Sequence, residues 1–330
     1  MNKILFVSRT HDMSMGSYRI WVNNLNNYFN KVDNLEIKSE ILTSDKDIGD
    51  YDIIICDKNS VDLAVGIKKS FPDKKVGVIN LSADKKDIPI DFIIVGSLEE
   101  KDSLSHYDNV FLFPLIEDMY QNAECKKHSE KESLRIGFHG HYPHLSKFEP
   151  HLKNALEKID KICNIELFII TSNFSFDWCV GKPNIKSITM KRWNLSTVKE
   201  DLLSCDIGIS PNVTHIPVDI KKYNTSVELG LYNTDHILRM KNKSNAGRAF
   251  VFHQLGIPVV ADFTPSNFHI MGDPKCGFIA HNQKSWERAI LELREPERRQ
   301  QIANNAKNEF DRLYNPVTWA RRLFLNIRRL

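Results

Sequence analysis

The chain has 330 residues, too many for one ordinary core and enough for two domains of ordinary size. With 42% hydrophobic and 26% charged residues it has the make-up of a soluble globular protein, and a formal net charge of +3 supplies no strong field for nucleic acid. No run approaches the ~18 apolar residues that a membrane span needs.

The start, "MNKILFVSRTHD", is apolar only through Ser8, too short for a signal-peptide core, and reads as a first buried strand. The six cysteines (Cys56, Cys125, Cys163, Cys179, Cys205 and Cys276) form no CxxC pair and read as reduced thiols of a cytosolic protein. Two series of short apolar strands alternate with helical stretches. The first comprises "ILFVS", "LEIKSEIL", "DIIIC", "VGVIN", "FIIVG" and "VFLFP". The second comprises "LRIGF", "IELFIIT", "IKSITM", "DIGIS", "IPVVA" and "GFIA". Continuous apolar strands between helices predict parallel sheets covered on both faces, hence two Rossmann-like, doubly wound α/β domains. Their expected bounds are 1–125 and 134–312. A linker at 126–133 falls within the polar stretch Glu117–Ser133, and a C-terminal helix at 313–330 follows.

Open parallel sheets bind ligands at the carboxyl ends of their strands, so the loops there hold the candidates. After "ILFVS", the loop carries His11 and Asp12, either a general base at the mouth of the sheet or a solvated turn. Gly16 opens a helix whose Tyr18, Trp21, Val22, Leu25, Tyr28 and Phe29 recur every three or four residues, a stripe that faces the sheet. No GxGxxG follows the strand, which disfavours a dinucleotide. "DYD" at Asp50–Asp52 precedes its strand, the wrong order for a metal held at a strand's carboxyl end.

In the second series, "LRIGF" runs into a loop with His139, Gly140, His141 and His144, then Lys147. Three histidines suggest a metal, yet no carboxylate completes a ligand set, so no metal site is assigned. A Gly-containing loop followed by a cation suits phosphate or sugar hydroxyls better, and a plain surface turn is the simpler alternative. Ser196 is placed to cap the helix "STVKEDLLSC". Trp193, before that helix, is either a stacking surface for a nucleobase or a packing residue. The sequons at Asn194 and Asn212 read as accidental.

The stretch "KNKSNAGRAFVFHQLGIPVVAD", Lys241–Asp262, gathers Lys243, Ser244, Asn245 and Arg248 at a helix start, with Ser244 or Asn245 as cap. Gly256 closes the helix, and Pro258 prevents its continuation. The helix dipole and two nearby cations make this a candidate diphosphate site, with a capped helix and solvated cations as the simpler alternative. At the end of the chain, Arg321, Arg322, Arg328 and Arg329 surround Leu323, Phe324, Leu325 and Ile327. That pattern fits packing onto the first domain, with peripheral contact to anionic lipid as the alternative.

Two linked Rossmann-like domains, "CDIGISP", a polar helix start and "LGIPVVAD" together resemble the GT-B glycosyltransferases, especially the group-1 (GT4-like) type. The layout covers nearly the whole chain, but the specific motifs lie in Cys205–Asp262. "MGSYRIWVNNLNNYF" is similar to that family's first-loop glycine and following helix. The resemblance implies the GT-B arrangement of two domains facing across a cleft. It also implies metal-independent sugar transfer from a nucleotide-sugar, a UDP- or GDP-sugar, to a hydroxyl of a glycan or lipid-linked acceptor in polysaccharide or glycoconjugate synthesis. No further cofactor is implied, and the location would be the cytoplasm or the inner membrane face. Catalysis would fall to His11 and Asp12. Gly16, Gly140, Lys147, Trp193, Lys243, Ser244, Asn245 and Arg248 would bind the donor.

Two departures mark a divergent branch. The family's two glutamates eight positions apart would fall on Lys243 and Val251, and a long segment, Asn212–Met240, carries the unassigned Asp219, Glu228 and Asp235. A nucleotide-sugar epimerase of the same architecture and a non-catalytic sugar- or nucleotide-binding protein are the alternatives.

Overall fold

The computed structural model describes residues 2–43, 47–146, 150–178, 181–212 and 245–330. It divides into two compact units, one of residues 1–121 with 311–330 and one of residues 122–310.

The first unit is built on six parallel strands: β1 (Asn2–Val7), β2 (Ile37–Ile41), β3 (Ile53–Cys56), β4 (Lys75–Ile79), β5 (Phe92–Val95) and β6 (Val110–Leu112), in the order β2-β1-β3-β4-β5-β6. Alternate strand residues point to opposite faces. Ile4, Phe6, Ile53, Ile55 and Ile94 therefore join one core, and Leu5, Val7, Ile54, Val78 and Ile93 the other. A Cβ on Gly77 would lie 2.1 Å from the Phe92 ring, so only glycine lets that ring lie across β4. The helix after β1 buries Tyr18, Trp21, Val22, Leu25, Tyr28 and Phe29 as its spacing predicts. It is not uniform: α-helical at Gly16–Tyr18 and Leu25–Asn30, it widens to a π-helix at Arg19–Asn24.

The terminal helix Pro316–Arg328 belongs to this unit. Its Ala320, Leu323, Phe324 and Ile327 are buried in the same core, while Arg321, Arg322, Arg328 and Arg329 stay exposed. Its apolar face is thus used in protein packing. Among the described residues no helix is long and apolar enough to cross a membrane.

Among its described residues the second unit has six parallel strands: β7 (Leu134–His139), β8 (Ile165–Thr171), β9 (Ser187–Arg192), β10 (Ile207–Ser210), β11 (Val259–Asp262) and β12 (Phe278–Ala280). Their order is β12-β11-β10-β7-β8-β9. The chain winds outward from β7 to β9, returns to β10 beside β7, and winds out the other way. The strand order reverses between β7 and β10, and a crevice opens there at the carboxyl ends of such strands. A Cβ on Gly208 would lie 2.4 Å from the Phe252 ring, so this glycine lets the helix Gly247–Gln254 settle directly on β10.

The polar stretch 126–133, expected as a linker, is bonded into this unit. Lys126 N donates to the Leu255 carbonyl at 3.1 Å, and His128 N donates to Gln300 Oε1 at 2.8 Å. The fully buried Arg299 donates through Nη2 to the Ser129 carbonyl at 2.5 Å. Gly256 has φ +68° and ends the helix as expected. A Cβ there would lie 2.7 Å from Lys126 N, so the same position also needs glycine for close approach.

Candidate functional site: the switch-point crevice and the first-unit loop

The carboxyl ends of β7 and β10 meet the start of the helix Gly247–Gln254 above the reversal of strand order. β7 ends at His139, and Gly140 follows with φ +130°, where a side chain would be strained. Gly140 N donates to the Ile170 carbonyl at 3.0 Å. A Cβ at Gly140 would lie 3.7 Å from both Cδ and Nη1 of Arg248, so the glycine loop and the arginine are direct neighbours.

Arg248 is the second residue of its helix, in the first turn. Its Nη2 donates to the Pro211 carbonyl at 2.9 Å and to Asn212 Oδ1, and its guanidinium carbon lies 5.5 Å from the centre of the Phe138 ring. Among the described residues Nε has no hydrogen-bond partner. Burial pushes the group's pKa down to about 10, with the Asp262 carboxylate acting the other way, so the cation persists at neutral pH. One face of this arginine is anchored to protein. Nη1 borders the space that a Gly140 side chain would fill.

The helix start differs by a residue from the sequence expectation. Ala246 flanks the helix and makes no side-chain cap, while Asn245 Oδ1 accepts from Gly247 N at 3.1 Å. The amides of Arg248 and Ala249 have no acceptor within the helix, as in any first turn. Asn212 ties the site together. Its backbone N donates to Asp262 Oδ2 at 2.7 Å and its Nδ2 to the Asn245 carbonyl at 2.8 Å, while its Oδ1 receives Arg248. Asn267 in turn donates through Nδ2 to the Asp262 carbonyl at 3.0 Å. Asn212, read from sequence as a chance sequon at the start of the long segment Asn212–Met240, is 2% exposed.

Lys147, Lys243 and Ser244 lie outside the described residues, as do Asp219, Glu228 and Asp235. Trp193 directly follows β9 and is half-buried; its N donates to the Thr171 carbonyl at 3.0 Å. Since β9 is the edge strand, two from β7, Trp193 stands roughly 10 Å to the side of the crevice. Ser196 does not cap the following helix. That helix is Val198–Leu203, flanked by Thr197, and both N and Oγ of Ser196 donate to Asn194 Oδ1. His139 turns inward, its Nε2 3.4 Å from the Arg248 carbonyl and its ring edge-on to Phe252. Among the described residues no three His, Cys, Asp or Glu side chains are grouped to hold a metal ion.

In the first unit, His11, Asp12 and Gly16 share the loop after β1. Asp12 forms its turn: Oδ1 accepts from Ser14 N and Oδ2 from Ser14 Oγ, both at 2.8 Å. These bonds hold its carboxyl below the usual carboxylate range, which suits a turn-former and leaves it a weak base. His11 is exposed, its ring centre 5.4 Å from that of Tyr18. A Cβ on Gly16 would meet nothing closer than 3.8 Å, so packing alone does not require glycine there.

The loop is fixed by Arg19, which the sequence reading passed over. Arg19 and Glu117 are 7% and 5% exposed and form a two-point pair, Nε–Oε2 at 3.0 Å and Nη2–Oε1 at 2.5 Å. Arg19 Nη1 donates to the carbonyls of Met13 at 2.8 Å and Ser14 at 3.3 Å. A basic residue three places into an amphipathic helix gives no sign in sequence that it is buried.

No protein-family model and no curated protein sequence matches the chain. Solved structures do match. A glycosyltransferase from Rickettsia africae superposes with a TM-score of 0.63 at 11% identity, over 99% of this chain and 98% of that one. HepE from Anabaena, in complex with UDP and glucose, gives 0.62 at 12% identity over the full length of both chains. The T4 phage β-glucosyltransferase gives 0.57 at 13% identity over 98% of this chain and 99% of that one. TarM matches over 83% of this chain, which spans only 54% of TarM's length. With two six-stranded parallel sheets of Rossmann-like winding and these neighbours, the chain has the GT-B fold.

Proposed function

We propose that this protein is a glycosyltransferase that moves a sugar from a nucleoside-diphosphate donor to an acceptor hydroxyl, as a divergent branch of the group-1 type. The observation that carries this is the meeting of Gly140 and Arg248 at the reversal of strand order in the second unit. There the Arg248 guanidinium lies beside the glycine loop, and its helix begins with unpaired first-turn amides. UDP is present in the HepE and TarM complexes, which supports UDP as the first donor base to test.

In this scheme the donor's diphosphate rests beside Arg248 and the amides of Arg248 and Ala249. As the glycosidic bond to the leaving diphosphate breaks, negative charge grows on its oxygen. The arginine and helix dipole are already oriented to stabilise it. Lys147, Lys243 and Ser244, outside the described residues, remain proposed donor contacts, and Trp193 would border the base. In the first unit His11 takes the acceptor proton if configuration inverts, while Asp12 shapes its loop. Any contact with anionic lipid would use the four exposed terminal arginines alone, since the apolar face of that helix is buried.

A thermal-shift panel of UDP, GDP, CMP and their sugars tests the proposal. Ligand at a hundredfold excess over Kd adds about 2.7 kcal/mol to the folded state. UDP or GDP and its sugar should raise Tm, and the stabilising sugar nucleotide should lose its sugar to an acceptor or to water. A flat panel, or release of an epimerised sugar, would overturn it.

A further inference from the structure

We infer that Asn212 is a positioning residue for the diphosphate site, setting the direction in which Arg248 points. The inference rests on the glycosyltransferase reading above. Asn212 joins three separate segments that converge on the crevice. It follows β10, its backbone N–H is held by Asp262 at the end of β11, and its side chain spans to the helix start.

The amide group suits this task because it is both donor and acceptor. Oδ1 receives Nη2 of Arg248, and Nδ2 donates to the Asn245 carbonyl. Together with the Pro211 carbonyl it occupies the Nη2 end of the guanidinium. Nε has no partner among the described residues, and Nη1 lies against the glycine loop. A planar guanidinium fixed at one nitrogen can no longer turn freely, so its remaining N–H groups keep a fixed aim. Asn212 is 2% exposed and Asp262 3% exposed, so neither is placed to meet the ligand directly. Asp262 anchors Asn212, and Asn212 anchors Arg248.

Asparagine also separates two charges that aspartate would bring into conflict. Asn212→Asp would keep the shape, remove the Nδ2 donor to Asn245, and set a second carboxylate beside Asp262. It would also neutralise Arg248 towards an incoming diphosphate.

The test titrates UDP, GDP and their parent nucleosides against wild type, Asn212→Ala, Asn212→Asp, Arg248→Ala and the Asn212→Ala/Arg248→Ala double variant. The Tm of each is recorded to establish folding. Asn212→Ala should weaken the better diphosphate roughly tenfold, the scale of one charge-assisted hydrogen bond, and leave the nucleoside within about twofold. Asn212→Asp should lose more than Asn212→Ala. The double variant should lose no more than Arg248→Ala alone, because Asn212 acts through Arg248.

Full additivity, or equal losses for diphosphate and nucleoside, would overturn the inference while leaving the site in place. If Arg248→Ala itself leaves diphosphate binding unchanged, or if neither diphosphate binds wild type, the reading of the site fails and the inference fails with it. Should Asn212→Ala not fold, the comparison of Asn212→Asp with wild type decides: unchanged diphosphate affinity contradicts the role.

Discussion

Replacing Arg248 with Ala is expected to weaken nucleoside-diphosphate binding by 10- to 100-fold, the ~1.5–3 kcal/mol of hydrogen bonds to a charged group. Affinity for the free nucleoside should stay nearly constant. The effect is large because the charge sits at a half-buried helix start, over the Phe138 ring, where water screens it poorly. Transfer should fall at least as far, since charge on the leaving diphosphate is greater in the transition state than in the bound donor. Arg248→Lys should fall between the two. It retains the charge, but an ammonium lacks the planar fork that reaches the Pro211 carbonyl, Asn212 and the ligand together. Calorimetric titration of diphosphate and nucleoside with each variant measures this. Equal losses for both ligands would mean that Arg248 supports the fold and not the phosphates.

The second large effect concerns the first unit. Arg19→Met should destabilise it by about 3–5 kcal/mol, the usual cost of leaving a buried ion-pair partner uncompensated, with a fall in Tm on the order of 10 °C. Glu117 would be left at 5% exposure without its guanidinium, and the carbonyls of Met13 and Ser14 would lose a donor. The Arg19→Met/Glu117→Leu double variant should recover much of the loss, because a matched apolar pair carries no desolvation cost. It should not restore the loop that bears His11, so stability and transfer should part company in the double variant. Thermal denaturation and initial rates measured on the same samples decide this. A single variant within about 1 kcal/mol of wild type would show that the pair contributes little.

These residues also show which parts of the molecule are visible in the sequence. The described strands are, the central ones because a strand covered on both faces must be apolar throughout, as in Ile53–Cys56 and Phe92–Val95. So is the helix ending at Gly256, because only a residue tolerant of positive φ closes it that way. The π-helical Arg19–Asn24 is not, since one extra residue in a turn leaves the apolar spacing almost unchanged. Asn212 and Arg19 carry no sequence pattern that marks them as buried. Their partners, Asp262 and Glu117, are 50 and 98 positions away in the chain and meet them only after the sheets form. Lys126 and His128 are similar: their charge and polarity suggest a solvated linker, yet they bond to Leu255 and Gln300. The loops at strand ends hold the candidate residues. Which side chains act directly and which hold others in place is decided by tertiary contacts that spacing does not encode.

The central claim is that the second unit holds a nucleoside diphosphate where Gly140 meets Arg248. A crystal structure with UDP or GDP bound tests it most directly. A phosphate oxygen is expected within about 3 Å of Nε or Nη1 of Arg248, close to the amides of the first helical turn. A diphosphate bound anywhere else, with Arg248 still bonded only to Pro211 and Asn212, would contradict it.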